Sequence, residues 1–103
     1  MATYTAVTGM SAVTAATTSS TLTGTADTRL RLAAYGLSSS DEYIDVLVVT
    51  PAGNQQLYSL EEDRGIKPVR LNGQCTVVNL DGSYDYAFYK NQTSKAVTLY
   101  KVT

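Results

Sequence analysis

A chain with no histidine, a single cysteine and thinly spread acids has few ways to do chemistry, and these 103 residues fit that description. Without an imidazole no Ser-His-Asp or Cys-His arrangement can be built, nor a histidine metal site, nor a histidine acid-base catalyst. Carboxylates remain. Asp41, Glu42 and Asp45, or Asp81 and Asp85, are close enough in sequence to act in pairs, but a two-carboxylate glycosidase site needs a cleft. These positions fall in turns or on outward strand faces. Glu61, Glu62 and Asp63 form the one acidic run, and calcium would want about six to eight oxygens gathered from several residues. The run lacks a D-x-D-x-D-G pattern and reads as a solvated loop. The glycines stand singly in turns, so no phosphate-cradling loop is present. The expectation is a protein with no catalytic residues, no cofactor and no metal.

What remains is recognition. Eight tyrosines without one tryptophan is an unusual aromatic stock. Tyr84, Tyr86 and one of Tyr43 or Tyr58 can bury their rings, whereas Tyr4, Tyr35, Tyr89 and Tyr100 are available for a surface, where tyrosine is enriched at interfaces and sugar sites. Arg29 and Arg31 share a strand face with Tyr35. A solvated face explains that pair, and an anion or partner site is the alternative. These six residues are the candidate interaction surface. A net charge of -1 and a pI near 5.1 argue against a counterion-driven nucleic-acid binder. Cys75 cannot form an intramolecular disulfide and is expected as a small core hydrophobe.

The elements that position these residues read as strands throughout. Asp81-Gly82 between two alternating runs is a strong hairpin signal, because a type I′ turn needs φ > 0 at both central residues. That register collects Cys75, Val77, Tyr84, Tyr86 and Phe88 on a core face and turns Asp85 outward. A loop at 91–94 then pairs Phe88 with Val97 and Tyr86 with Leu99, adding a third strand over 96–102. Upstream, a three-residue loop around Asn72-Gly73, preferred to a crossing into a second sheet, restores the apolar alternation of Val69 and Leu71 with Cys75 and Val77.

Tyr43 to Thr50 is nearly continuous in apolar, β-branched residues, as a central strand covered on both faces would be. Pro51 and Gly53 suit a four-residue turn returning into Gln55 to Leu60, with Val48 opposite Leu57 and Leu47 opposite Tyr58. Leu30, Leu32 and Ala34 alternate with Arg29, Arg31 and Tyr35 in a half-buried strand, which the Ser-rich segment 36–42 ends. The leader is Thr, Ser and Ala with few bulky residues. Its threonines favour extended structure, so residues 1–19 are expected as an extended arm reaching a neighbouring subunit or as an edge strand, and 20–103 as the domain proper. Seven or eight short strands at intervals of about eight to twelve residues are the signature of an antiparallel sandwich or small barrel.

No basic start followed by an apolar run marks a secretory signal, and no window approaches the ~20 apolar residues of a membrane span, which points to folding in the cytoplasm. Asn91-Gln92-Thr93 matches a glycosylation sequon, but outside a secretory route it is a polar loop.

The segments TLTGTA, LVVTPAGNQQLYSL, NGQ, GSYDYAFYK and AVTLYKV, spread over residues 20–102, resemble the small immunoglobulin-like β-sandwich virion proteins of tailed bacteriophages, of the head decoration type or a related accessory. Gln55 and Gln56 stand where that pattern has an aromatic, so tail and adaptor proteins stay open beside head decoration. The resemblance implies an all-β, antiparallel immunoglobulin-like sandwich and a non-enzymatic component assembled in the host bacterial cytoplasm. It further implies homo-oligomeric partners or major capsid and other virion proteins, with neither nucleic acid nor membrane. A small carbohydrate-binding sandwich is the alternative that the tyrosines themselves raise.

Overall fold

A computed structural model describes residues 2–25, 29–62, 65–93 and 95–103, and of 60–62 and 65–67 the backbone alone. Glu61 and Glu62 therefore enter only as backbone, and Asp63 lies outside the described residues. The strands are β1 Tyr4–Ala6, β2 Thr17–Thr18, β3 Leu30–Tyr35, β4 Tyr43–Val49, β5 Gln55–Leu57, β6 Ser59–Glu62, β7 Gly65–Pro68, β8 Arg70–Asn72, β9 Val77–Leu80, β10 Asp85–Lys90 and β11 Thr98–Val102. They build an all-β antiparallel sandwich. One sheet has four strands in the order β1-β11-β3-β9, and the other has five, β2-β10-β4-β5 with β8 also on β4. The strands β6 and β7 pair with each other as a ribbon leaving the second sheet between β5 and β8.

Alternation decides which residues meet between the sheets. Leu30, Leu32 and Ala34 of β3 and Leu99 of β11 turn inward from the first sheet, while Ile44 and Val46 of β4 and Tyr86 and Phe88 of β10 turn inward from the second. Burying each large apolar side chain contributes about 1.5–3 kcal/mol. The central place expected for Tyr43–Val49 is observed, with β10 on one side and β5 and β8 on the other. Its outward face is only half-buried.

Four sequence expectations change. Asp81-Gly82 is not a hairpin turn: β9 pairs with β3 and β10 with β4, so the chain crosses from one sheet to the other at this point. Both strands then face inward from opposite layers, which puts Leu80 and Val78 inward and leaves Cys75, Val77 and Tyr84 exposed. Cys75 is therefore a surface thiol. β11 likewise pairs with β1 and β3 instead of β10, and Val97 and Leu99 reach Phe88 from across the core.

The Asn72-Gly73 segment is a crossing rather than an odd-length hairpin loop. The Asn72 side-chain oxygen accepts from the backbone N–H of Gln74 and Cys75 at 2.9 and 3.0 Å, turning the chain out of β8 before it enters the other sheet. Finally, the β4–β5 hairpin sets Leu47 opposite Leu57 and Val48 opposite Gln56, one residue from the expected register. Gly53 at φ 87° explains the slip, since a three-residue loop ending in a left-handed glycine forms a G1 bulge.

Within the chain the leader supplies an edge strand, the second of its two expected forms. β1 pairs with β11, Val13 bridges to Val97 and Leu22 to Tyr86, and Val7 and Met10 are buried in the core.

Candidate functional site

Antiparallel pairing places three tyrosines on the outer face of the first sheet. Across β1, β11 and β3, one row holds Tyr4, Val102 and Arg31, the next holds Ala6, Tyr100 and Ala33, and a third holds Thr98 and Tyr35. The small side chains of Ala6 and Ala33 flank Tyr100, so the rings of Tyr4 and Tyr35 can lean over that row. Ring centroids lie 6.0 Å apart for Tyr4 and Tyr100, 5.5 Å for Tyr35 and Tyr100 and 6.3 Å for Tyr4 and Tyr35, with interplanar angles of 87°, 74° and 64°. Steep edge-to-face contacts of this kind suit the aromatic quadrupole. Tyr4 stays 48% and Tyr35 54% exposed.

The three rings line an open concavity of about 450 Å³. A hydrogen bond with Tyr4 holds the Tyr35 phenol above its ordinary pKa, reinforced by the closeness of Tyr4, while the charge of Arg31 acts in the opposite direction. The Arg31 side chain is exposed and forms no hydrogen bond or ion pair with a described residue. Val77, paired to Ala33 and also exposed, extends the apolar part of this face.

Of the six candidate residues, the structure thus brings together Tyr4, Tyr35, Tyr100 and Arg31. Arg29 is exposed just ahead of β3. Tyr89 lies apart, on β10 in the other sheet, opposite Thr18 and Asp45. Near it a second device sits on that sheet's outer face. Arg70 donates Nε–H and Nη2–H to the two carboxylate oxygens of Asp45 at 2.7 and 3.2 Å, and its guanidinium lies 3.7 Å from the centre of the Tyr43 ring. The bond to Asp45 raises the Arg70 pKa. This pair locks β8 to β4 and occupies both oxygens of the Asp45 carboxylate.

Sequence reasoning missed three roles. Asp85 is not an idle outward acid: Gly24 N–H donates to its Oδ1 at 2.6 Å. Only glycine fits there, because a Cβ would stand 2.8 Å from the carbonyl oxygens of Ser83 and Tyr84. Lys90 is fully buried, donating from Nζ to the Thr14 and Asn91 carbonyls at 2.9 and 2.6 Å and to Thr93 Oγ1 at 3.3 Å. Burial lowers its pKa, with Glu42 pulling the other way. The inward phase of Tyr86 and Phe88 is the signal that reveals it, for Lys90 is next in the alternation. Third, Tyr86 donates its hydroxyl to the Asp81 carbonyl at 2.6 Å, and its burial pushes the phenol pKa well up.

Among the described residues no group of three His, Cys, Asp or Glu side chains converges as a metal site would require, and no helix is long and apolar enough to cross a membrane. Compared with protein-family models, with curated proteins and with solved structures, the chain matches none.

Proposed function

We propose that this chain is a non-enzymatic structural protein of a phage-type particle, one that works as a multimer by docking on neighbouring subunits through the open edge of β1. The observation that carries the reading is the direction of the β1 backbone. Thr3 and Thr103 exchange both of their hydrogen bonds at 2.7 and 2.9 Å, and Val7 N–H donates to Leu99 at 2.9 Å. In an antiparallel pair alternate residues bond to the partner strand, so the N–H and C=O of Tyr4 and Ala6 point away from β11. β1 ends its sheet among the described residues, and all three of its residues are exposed. Such an edge is a template for strand addition, and proteins that have no use for it cover or charge it. β1 carries neither charge nor proline.

An immunoglobulin-like assignment fits this role and has its own support. The bond from Tyr86, near the start of β10, back to Asp81 is the geometry of a tyrosine corner, which in that fold sits where the chain crosses between sheets. Phe88 stands two residues on, where antibody domains have their second cysteine. β3 beside β9 and β4 beside β10 match the B–E and C–F neighbours. β11 departs from the pattern by lying beside β3, since the last strand of an immunoglobulin domain lies beside the one before it.

Sedimentation velocity over a concentration series tests the assembly role with the variant Ala6→Pro. Proline removes an outward N–H and leaves the bonds to β11 in place. The wild type should associate as concentration rises or on addition of assembled particles, and the variant should stay monomeric and unbound. Equal behaviour of the two would refute docking through β1.

A further inference from the structure

We propose that the concavity between Tyr4, Tyr35 and Tyr100, with Arg31 beside it, is a binding site for a saccharide that carries a carboxylate. The inference goes beyond the assembly role and is independent of it, because a strand added at the β1 edge extends the sheet sideways and leaves this face open. Rings inclined at 64° to 87° offer no parallel slot for a planar base or another flat aromatic ligand. A puckered ring with C–H groups on its faces and hydroxyls on its rim can meet several inclined rings at once, and tyrosine supplies both an apolar face and a polar tip for it. The volume of about 450 Å³ lies in the range of small-ligand sites, about 300–1,000 Å³.

Aromatic clusters also hold quaternary ammonium groups. Arg31 opposes that here: it shares the row of Tyr4 and Val102, is exposed, has no partner among the described residues, and its charge is felt at Tyr35. An exposed guanidinium on the same face matches a carboxylate, which it can bind through two parallel hydrogen bonds.

Two-dimensional amide NMR on the full chain, titrated with sialyllactose and with lactose, tests the proposal. Saturable shifts confined to β1, β3 and β11 are expected with sialyllactose, and binding of lactose weaker by about tenfold or more. Arg31→Gln should bring sialyllactose down to the lactose level, and Tyr35→Ala should abolish both responses. Arg31→Gln should keep the wild-type melting temperature, and Tyr35→Ala, which gives up ring contacts on an outer face only, should still melt cooperatively and be fully folded in the titration. Saturating sialyllactose should leave the sedimentation behaviour of the wild type unchanged, which separates this site from the assembly edge. No saturable shift, shifts elsewhere on the domain, equal binding of the two sugars, or indifference to Tyr35→Ala would each overturn the proposal. So would a shift at Tyr35 on simple dilution, because β3 lies away from the β1 edge and a change there would show that a second copy covers the face.

Discussion

The Tyr86 hydroxyl donates to the Asp81 carbonyl at 2.6 Å, fastening the chain at the point where it passes from β9 in one sheet to β10 in the other. Asp81 secures the same corner through its side chain, accepting from the Ser83 N–H and Oγ at 2.9 and 2.6 Å, bonds that hold its carboxyl below the ordinary pKa. Tyr86 also packs against Tyr58 and Phe88, with centroids 5.4 and 6.4 Å away, so one residue ties the corner to the core.

Tyr86→Phe keeps the ring and removes the bond. It should cost about 0.5–1.5 kcal/mol in a urea titration. The raised phenol pKa adds a pH signature. Above the ordinary phenol value of 10.0 the unfolded chain loses a proton that folded Tyr86 retains, so stability present below that pH is lost as pH rises. The variant should show a shallower alkaline loss than wild type. An unchanged slope would mean that Tyr86 is not held as described.

Phe88→Ala should cost ~3–5 kcal/mol, whereas Val77→Ala and Cys75→Ser should each stay within about 0.5 kcal/mol. Under the hairpin register all three would be core substitutions. Thiol labelling of the native protein gives a second check: Cys75 should react freely without denaturant, and protection would contradict its placement.

Lys90→Met takes the ammonium donor from the Asn91 carbonyl and leaves the Thr14 carbonyl with the Thr93 N–H alone, and it should cost about 2–3 kcal/mol. The folded pKa lies below the usual lysine value of 10.5, so between the two the unfolded chain binds the proton that the folded chain has released. Stability therefore gains from Lys90 as pH rises through that window. The difference between wild type and variant, measured by melting at successive pH values, should widen with pH. A constant difference would place the ammonium in solvent.

Met10→Ala should cost ~2–5 kcal/mol in a denaturant titration, because Met10 and Val7 carry the leader into the core. A loss under 0.5 kcal/mol, as for an ordinary surface position, would restore the picture of a detachable arm.

Local pattern revealed the strands well and their partners poorly. The alternation in Leu30, Leu32 and Ala34 is a property of adjacent residues, and so is the apolar run of β4; both strands lie where the pattern placed them. Asp-Gly favours a tight turn through its own backbone preferences, but whether the following strand returns in the same sheet depends on contacts far away in sequence, such as Leu22 with Tyr86 and Gly24 with Asp85. Both types of connection give the same inward phase to Tyr86 and Phe88. They differ for Cys75, Val77 and Tyr84, which the crossing releases to the surface, and for Val78 and Leu80, which it turns inward. The tyrosine face was legible as a set of outward residues. Its assembly was not, because Tyr4 and Tyr35 meet through β11, at the far end of the chain.

The central claim, docking through the β1 edge, is tested most directly by amide hydrogen exchange at Tyr4, Ala6 and Val7 in dilute and in associating samples. The Val7 amide, already bonded to Leu99, should be protected in both. Those of Tyr4 and Ala6 should exchange freely when dilute and become protected on association, as the added strand takes up their donors. If the protein associates while both amides keep exchanging freely, the β1 edge is not where its subunits meet.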